Sequence, residues 1–315
     1  MDKVLNLYKR AGETPLLCIL RYKKDNPQFE NVPMTYAGRL DPLAEGVLLV
    51  LTGKEVHRKE EFLNLRKEYE VEVLFGFETD TFDVLGLPLS FPRRRESMPE
   101  SKSEIRSTKS ETNSKSKIKN SKQELTNSAI AEFVNSNGGK LFEVDVEKAL
   151  KNFVGKNIFE YPQYSSKTVN GKPLFSLARG GELEDVEMPK REVEIYSLEI
   201  LNWREINSKD LLKDIEEKIR SVKGDFRQEI ILSKWKEVLG DVDMNFQIVK
   251  IKAEVSSGTY MRTLAHEWGK ALGVPALAYH IVRTGVGSYE LKSSVIPAEA
   301  GIQSVRNHGF PPSRE

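Results

Sequence analysis

The sequence predicts an α+β domain in which helices flank a mixed, mainly antiparallel sheet. Three observations carry that expectation. The segments Lys67–Phe77, Arg191–Leu201 and Phe246–Val255 alternate apolar and polar residues, as strands buried on one face do. Between them lie stretches with apolar residues at helical spacing. The two kinds do not follow the regular strand–helix–strand order of a parallel sheet, and no internal repeat is visible.

In chain order, Glu55–Leu65 is polar and helical in character and precedes the strand KEYEVEVLFGF. From Arg93 to Leu125 the chain changes nature: 23 of 33 residues are Ser, Lys, Arg or Glu, and Met98, Ile105, Ile118 and Leu125 are the large apolar ones. Such a segment buries too little surface to offset the entropy of ordering it, so a disordered Ser/Lys-rich insertion is expected. Val144–Val154 places Val146, Leu150 and Phe153 on one helical face and ends at Gly155, a candidate C-cap. Leu211–Leu239 reads as helix, a break near Gly224–Asp225, then helix again. Met261–Leu272 is amphipathic and stops at Gly273 before Pro275. The tail, Lys292–Glu315, is broken by Pro297, Pro311 and Pro312 and reads as irregular. We therefore expect one domain over residues 1–291, interrupted at about 93–125 and by a helical region at about 211–239, then an irregular tail over 292–315.

Composition narrows the function classes. Hydrophobic residues make up 39% of the chain, which suits a protein with a sizeable core. No apolar run is long enough to span a membrane, and MDKVLNLYKR lacks the apolar stretch of a secretory signal. One cysteine, Cys18, cannot form an internal disulfide, and four scattered histidines suggest no metal centre. A cytoplasmic protein without a metal is the expectation. The net charge of +1 conceals an insertion with ten Lys/Arg against five Glu, so the rest of the chain is slightly acidic. Charge alone neither supports nor excludes RNA as a partner.

The chemistry concentrates in Tyr36–Leu51 (YAGRLDPLAEGVLLVL). Asp41 sits between Leu40 and Pro42, ahead of the apolar run Val47–Leu51, with Gly38 and Gly46 on either side. A carboxylate at the edge of a buried element is a cap, an ion-pair partner or a catalytic group; for a lone Asp before Pro, a turn or cap is the commonest reading. Three further segments follow: Lys67–Gly86 (KEYEVEVLFGFETDTFDVLG), Tyr161–Arg179 (YPQYSSKTVNGKPLFSLAR) and Ser257–Ala265 (SGTYMRTLA), the last trailed by Leu272–Gly273 and by an R-x-x-x-G-x-Y ending over Arg283–Tyr289. In this order, and with GRLDPLAEGVL at their head, they resemble the TruB family of tRNA pseudouridine synthases over about 200 residues. The insertion, the Leu211–Leu239 region and the tail have no counterpart in the motifs.

The resemblance implies a pseudouridine synthase fold and the isomerisation of a T-loop uridine in tRNA, a monomer acting without a cofactor. It places Asp41 as the nucleophile, attacking either uracil C6 or ribose C1′, and Arg262 as the guanidinium that favours the charged carboxylate. It makes Tyr69 the residue that stacks on the extracted base near its C5 hydrogen. Tyr260 and Ile281 would line the base pocket, Gly38 and Arg39 belong to the signature loop, and Lys167, ahead of Lys172 and Arg179, would touch phosphates. The base must be flipped out of its stack. Thr79, Asp80 and Thr81 would brace the active-site loop with side-chain to backbone bonds.

Two departures stand out. Tyr36 replaces the histidine usual two residues before the motif glycine, so base flipping would rely on stacking. Lys9–Pro15 (KRAGETP) matches the family's K-P-x-G-x-T-S in part. Only 24 residues follow Leu291, so a PUA domain is not expected. The competing readings are a synthase for another RNA, a non-catalytic tRNA-binding or tRNA-folding protein on the same scaffold, and a glycosidase using Asp41 with Glu45.

Overall fold

The computed structural model describes residues 2–90, 143–184 and 186–294. The insertion expected at about 93–125, and the tail beyond 294, lie outside the described residues.

A nine-stranded sheet forms the body. Its strands are β1 (Lys3–Lys9), β2 (Met34–Ala37), β3 (Glu45–Thr52), β4 (Lys67–Phe75), β7 (Gly155–Glu160), β10 (Lys190–Asn207), β11 (Asn245–Val255), β12 (Ala276–Val286) and β13 (Tyr289–Glu290). Two small hairpins complete the set, β5 (Glu78–Thr79) with β6 (Pro88–Ser90) and β8 (Thr168–Val169) with β9 (Lys172–Pro173). The main order is β1-β3-β12-β4-β11-β10-β7, with β2 on β3 and β13 on β12. Among the described strands of this sheet, every pairing is antiparallel except β12 on β3, so the mixed, mainly antiparallel sheet read from the alternating strands is present.

Helices cover both faces: α1 (Pro15–Asp25), α2 (Lys59–Leu63), α3 (Glu143–Lys151), α4 (Leu174–Gly180), α5 (Ser208–Ser221), α6 (Gln228–Leu239) and α7 (Met261–Ala271). One face packs Tyr69, Val71, Val73 and Phe75 of β4 with Val249 and Ile251 of β11 against α7 and α3, where Trp268 is fully buried. The opposite face packs Leu74, Ile248 and Leu277 against α5 and α6 through Ile215, Ile219, Ile231 and Trp235. Strand parity decides which residue goes to which face. A register shift in β12 between Ala278 and His280 resets that parity, so Ile281 joins the Tyr69 face.

Three boundaries differ from the sequence reading. β10 runs past Leu201 to Asn207, because shifts after Ile195 and Ile200 break the alternation that marked its end. The helix read over Val144–Val154 closes at Lys151, where turn bonds from Phe153 N–H to Leu150 and from Val154 N–H to Lys151 end it. Gly155, at φ +103°, opens β7 rather than capping the helix. The polar Glu55–Leu65 stretch is a 3₁₀ turn over Gly53–Arg58 followed by α2.

Candidate active site

The loop from Gly38 to Ala44 leaves the sheet at a fork. β2 pairs with β3 down to Ala37 opposite Leu49, and β12 takes up pairing with β3 at Glu45. The backbone between is released toward one face of the sheet, carrying Asp41. Two buried cations hold it there. Arg283 on β12 donates to the carbonyls of Val47 (2.7 Å), Arg39 (3.2 Å) and Gly38 (3.1 Å). Lys9, at the end of β1 and without solvent exposure, donates Nζ to the carbonyls of Ala44 (2.6 Å), Pro42 (3.1 Å) and Arg10 (3.0 Å). Burial pushes the Lys9 amine down to about 8, against the pull of the Glu13 and Asp41 carboxylates. At Gly46, φ +108°, a Cβ would lie 2.2 Å from the Arg283 carbonyl, so only glycine permits β12 to approach the loop this closely.

Arg262, in the first turn of α7, reaches Asp41 with two prongs: Nε to Oδ2 at 2.7 Å and Nη2 to Oδ1 at 3.0 Å. Its Nη1 donates to the Thr81 carbonyl at 2.6 Å, and Nη2 also reaches the Tyr164 carbonyl at 3.4 Å. The guanidinium is 3% exposed and the Asp41 side chain 32%, so the pair opens toward solvent on the carboxylate side. Burial opposes the charge on Arg262, yet Asp41 and Asp83 together raise its proton affinity above the ordinary arginine value. Asp83, whose Oδ2 lies 3.7 Å from Arg262, is buried, and desolvation pushes its carboxyl up to about 6. Its Oδ1 accepts from the Thr81 hydroxyl (2.7 Å) and the Leu85 N–H (2.9 Å). Thr79 donates to the Asp83 carbonyl at 2.7 Å and Asp80 accepts from Leu87 N–H at 2.8 Å. These are side-chain to backbone braces of the kind read from the Thr-Asp-Thr segment.

A cleft of about 890 Å³ opens over this pair. Asp41, Tyr69, Arg262, Gly38, Arg39, Tyr260 and Ile281 all line it. Tyr69 is 8% exposed on β4, opposite Arg283 of β12 and Ala253 of β11. Of the residues expected to meet the RNA, Tyr36, Lys167 and Lys172 do not line the cleft, and Lys172 pairs with Glu182 at 2.8 Å. Tyr36 faces the cluster around Cys18 and Phe29, with the Lys59 ammonium 5.8 Å from its ring centroid. β2 pairing turns it to that side of the sheet. Lys167 sits one shell out, its ammonium 5.4 Å from the Tyr161 ring, which meets Tyr260 edge-on at 5.9 Å. Glu45 is engaged by the Tyr8 hydroxyl (2.6 Å) and His280 (2.9 Å) and does not line the cleft, so the glycosidase pairing of Asp41 with Glu45 is not assembled.

The structure adds Lys9, Lys67, Asp83 and Arg283. Lys67 lines the cleft with Nζ donating to the carbonyls of Leu65 (2.6 Å) and Leu63. Burial lowers its amine to about 8, with Arg283 and Arg191 pushing the same way. Strand parity could have found it, since Lys67 shares with Tyr69 the inward face of KEYEVEV. Buried Ser165 also lines the cleft, and its hydroxyl has no hydrogen-bond partner among the described residues. Among the described residues, no group of three His, Cys, Asp or Glu side chains is placed to hold a metal ion.

The Asp41 loop, the Tyr69 strand and the Arg262 helix, which lie in three separate motif segments, thus meet at one cleft. The model of the TruB family pseudouridylate synthase N-terminal domain matches residues 28–119 and 101–226, and the chain belongs to that family. The tRNA pseudouridine synthase B of Oceanobacillus iheyensis is 27% identical over 295 residues, 94% of this chain and 69% of that protein. The tRNA pseudouridine synthase B of Bacillus subtilis is 27% identical, spanning 100% of this chain and 76% of its own. Among solved structures, a chain of a Cbf5-Nop10-Gar1 complex superposes with a TM-score of 0.48 at 18% identity, covering 91% of this chain. This chain spans about half (49%) of the length of that one. Among the described residues, no helix is long and apolar enough to cross a membrane.

Proposed function

We propose that the protein converts a uridine in the T-loop of tRNA to pseudouridine, with Asp41 as the nucleophile. Membership of the TruB family and its likeness to tRNA pseudouridine synthases B support pseudouridine formation in tRNA. The observation that carries the roles of the side chains is the two-pronged Arg262–Asp41 pair at the head of a cleft that Tyr69 also lines.

In the overall reaction the C1′–N1 bond breaks, a C1′–C5 bond forms, C5 loses its hydrogen and N1 gains one; nothing is oxidised or reduced. A carboxylate can promote this covalently, through uracil C6 or ribose C1′. Arg262 fixes both oxygens of Asp41, so attack starts from one geometry rather than many. Arg283 and Lys9 keep the loop beneath from relaxing. Tyr69, Ile281 and Tyr260 line the cleft and are the apolar surfaces against which the extracted base would pack. The base enters flipped from its stack.

The test is release of tritium from tRNA labelled at uracil C5, by the wild type and by Asp41→Ala. Release by the wild type alone, lost when the T-loop uridine is replaced by cytidine, is the expected result. Release that survives the cytidine replacement would move the target to another uridine. Release by Asp41→Ala at the wild-type rate would end the assignment of the nucleophile.

A further inference from the structure

Helices α5 and α6 fill the β10–β11 connection and belong to none of the four motifs, yet the turn between them forms one wall of the cleft: Lys223 to Arg227 all line it. We propose that this turn is a phosphate-binding element for the RNA strand beside the target nucleotide, with Lys223 making the contact. The proposal rests on the RNA-modifying reading above.

The turn is held in place, not poised as a lid. Its two helices are rooted in the core by Ile215, Ile219, Ile231 and Trp235, and the Trp235 indole N–H donates to the Val84 carbonyl at 3.1 Å. The Lys223 N–H donates to the Gly12 carbonyl (2.9 Å), and the Gly12 N–H donates to the carbonyl of Pro42 (2.8 Å), next to Asp41. Gly12 has φ +84°, and a Cβ there would lie 2.5 Å from the Ser221 carbonyl, so that contact requires glycine. Two backbone bonds thus set the distance from Lys223 to the nucleophile's loop.

The other polar groups of the turn are occupied. Arg227 adopts φ +64°, pairs with Asp80 at 2.8 Å and lies 4.3 Å from the Tyr164 ring. The Asp225 side chain accepts from Arg227 N–H at 3.3 Å, and its carbonyl accepts from Arg179 at 2.7 Å. Gln228 spans the turn, accepting from Phe226 N–H and donating to the carbonyls of Val222 and Gly224.

Lys223 differs from these neighbours: it is exposed, and its ammonium has no partner among the described residues. Across the cleft's lining, eight Lys or Arg face three acids, Asp41, Asp83 and Asp225. Two of those acids are committed to Arg262 and the third to the turn itself. An exposed lysine is ordinarily a solvated charge. Here it stands in a concave site whose lining carries a surplus of positive charge, where the field favours a polyanion, and a phosphodiester backbone has that chemistry.

The test compares Lys223→Glu with Lys209→Glu, an exposed lysine at the far end of α5, measuring tRNA affinity against salt together with kcat and KM for tritium release. For Lys223→Glu we expect Kd and KM to rise on the order of five- to tenfold near 0.1 M salt, kcat to hold, and the slope of log Kd on log salt to shrink by about one. Lys209→Glu should match the wild type. A Lys223→Glu protein with wild-type Kd and slope, a loss confined to kcat, or an equal loss in Lys209→Glu would each overturn the proposal. A wild type that neither binds nor converts RNA would sink the functional reading with it, whereas an active wild type with an indifferent Lys223→Glu sinks this inference alone.

Discussion

The floor and the rim of the cleft are built from the same residue types put to opposite uses. On the floor, Lys9, Arg262 and Arg283 are buried, and every bond they make runs to the protein itself, mostly to backbone carbonyls. On the rim, Arg39, Arg179 and Lys223 are exposed. Arg39 and Lys223 have no side-chain partner among the described residues, and Arg179 donates to the Asp225 carbonyl. A buried cation must be satisfied internally or it destabilises the fold, so floor cations become joints. A rim cation is already solvated and remains available to an outside anion. Substitutions should therefore act on geometry and stability in the one region, and on affinity and its salt dependence in the other.

The largest effect should come from Arg262→Lys. A lysine keeps the charge but loses the fork that grips both Asp41 oxygens and the Thr81 carbonyl together. We expect kcat/KM to fall at least about a hundredfold, chiefly in kcat, with tRNA affinity nearly unchanged. A loss appearing in KM would move Arg262 from the floor's role to the rim's.

Next in size is the contrast between Arg283→Met and Arg39→Ala. Methionine at 283 leaves the carbonyls of Gly38, Arg39 and Val47 without their donor, which should cost about 3 kcal/mol or more in urea unfolding. Arg39→Ala should stay within about 0.5 kcal/mol of the wild type while weakening tRNA binding severalfold. Equal stability losses in the two would dissolve the distinction.

How far the sequence reaches follows the same division. The loop with Asp41, the strand with Tyr69 and the helix with Arg262 were legible because each lies in a motif whose spacing is local. The joints were not singled out, because their partners are distant: Arg283 serves a loop 244 residues away, and Lys9 a loop 33 to 35 residues away. A charged residue continuing a strand's inward alternation was nevertheless a readable signal, and Lys67 in KEYEVEV carries it. Tyr36 failed for the reverse reason. Its place in the motif suggested the cleft, while pairing of β2 with β3 turns it toward Cys18. The α5–α6 turn could be read as a break between helices, but only the sheet order brings it beside Asp41.

Lys9→Met sharpens the floor with a pH axis. Losing the donor to Ala44 and Pro42 should cost about 2 kcal/mol at neutral pH. Folding lowers the Lys9 amine from its ordinary 10.5 to about 8. Between those values the unfolded chain binds more protons, so Lys9 makes the wild type gain stability as pH rises from 8 to about 10. Lys9→Met lacks that gain, and the stability gap in its disfavour should widen across the window. A constant gap would mean that the folded protein holds the Lys9 proton as tightly as the unfolded chain does.

The smallest expected effect separates burial from charge as the force that tunes the floor. Burial raises Asp83 to about 6 from the ordinary 3.8; Arg262 pulls its carboxyl down and the Asp41 carboxylate pushes it up. Between those two values the folded protein holds the proton more tightly than the unfolded chain, so Asp83 lowers stability as pH rises through that window. Asp83→Asn keeps an oxygen to accept from Thr81 and Leu85 and removes the titration. Any clash of its amide with Arg262 is a constant offset. The Tm of Asp83→Asn minus that of the wild type should therefore climb by on the order of 3 °C from pH 4 to pH 6.5 and then level. A flat difference would mean that Arg262 divides its charge between Asp83 and Asp41 strongly enough to cancel the burial. The guanidinium would then be a fully shared counter-ion for two carboxylates, rather than a clamp on Asp41 beside a carboxyl that burial holds above its ordinary range.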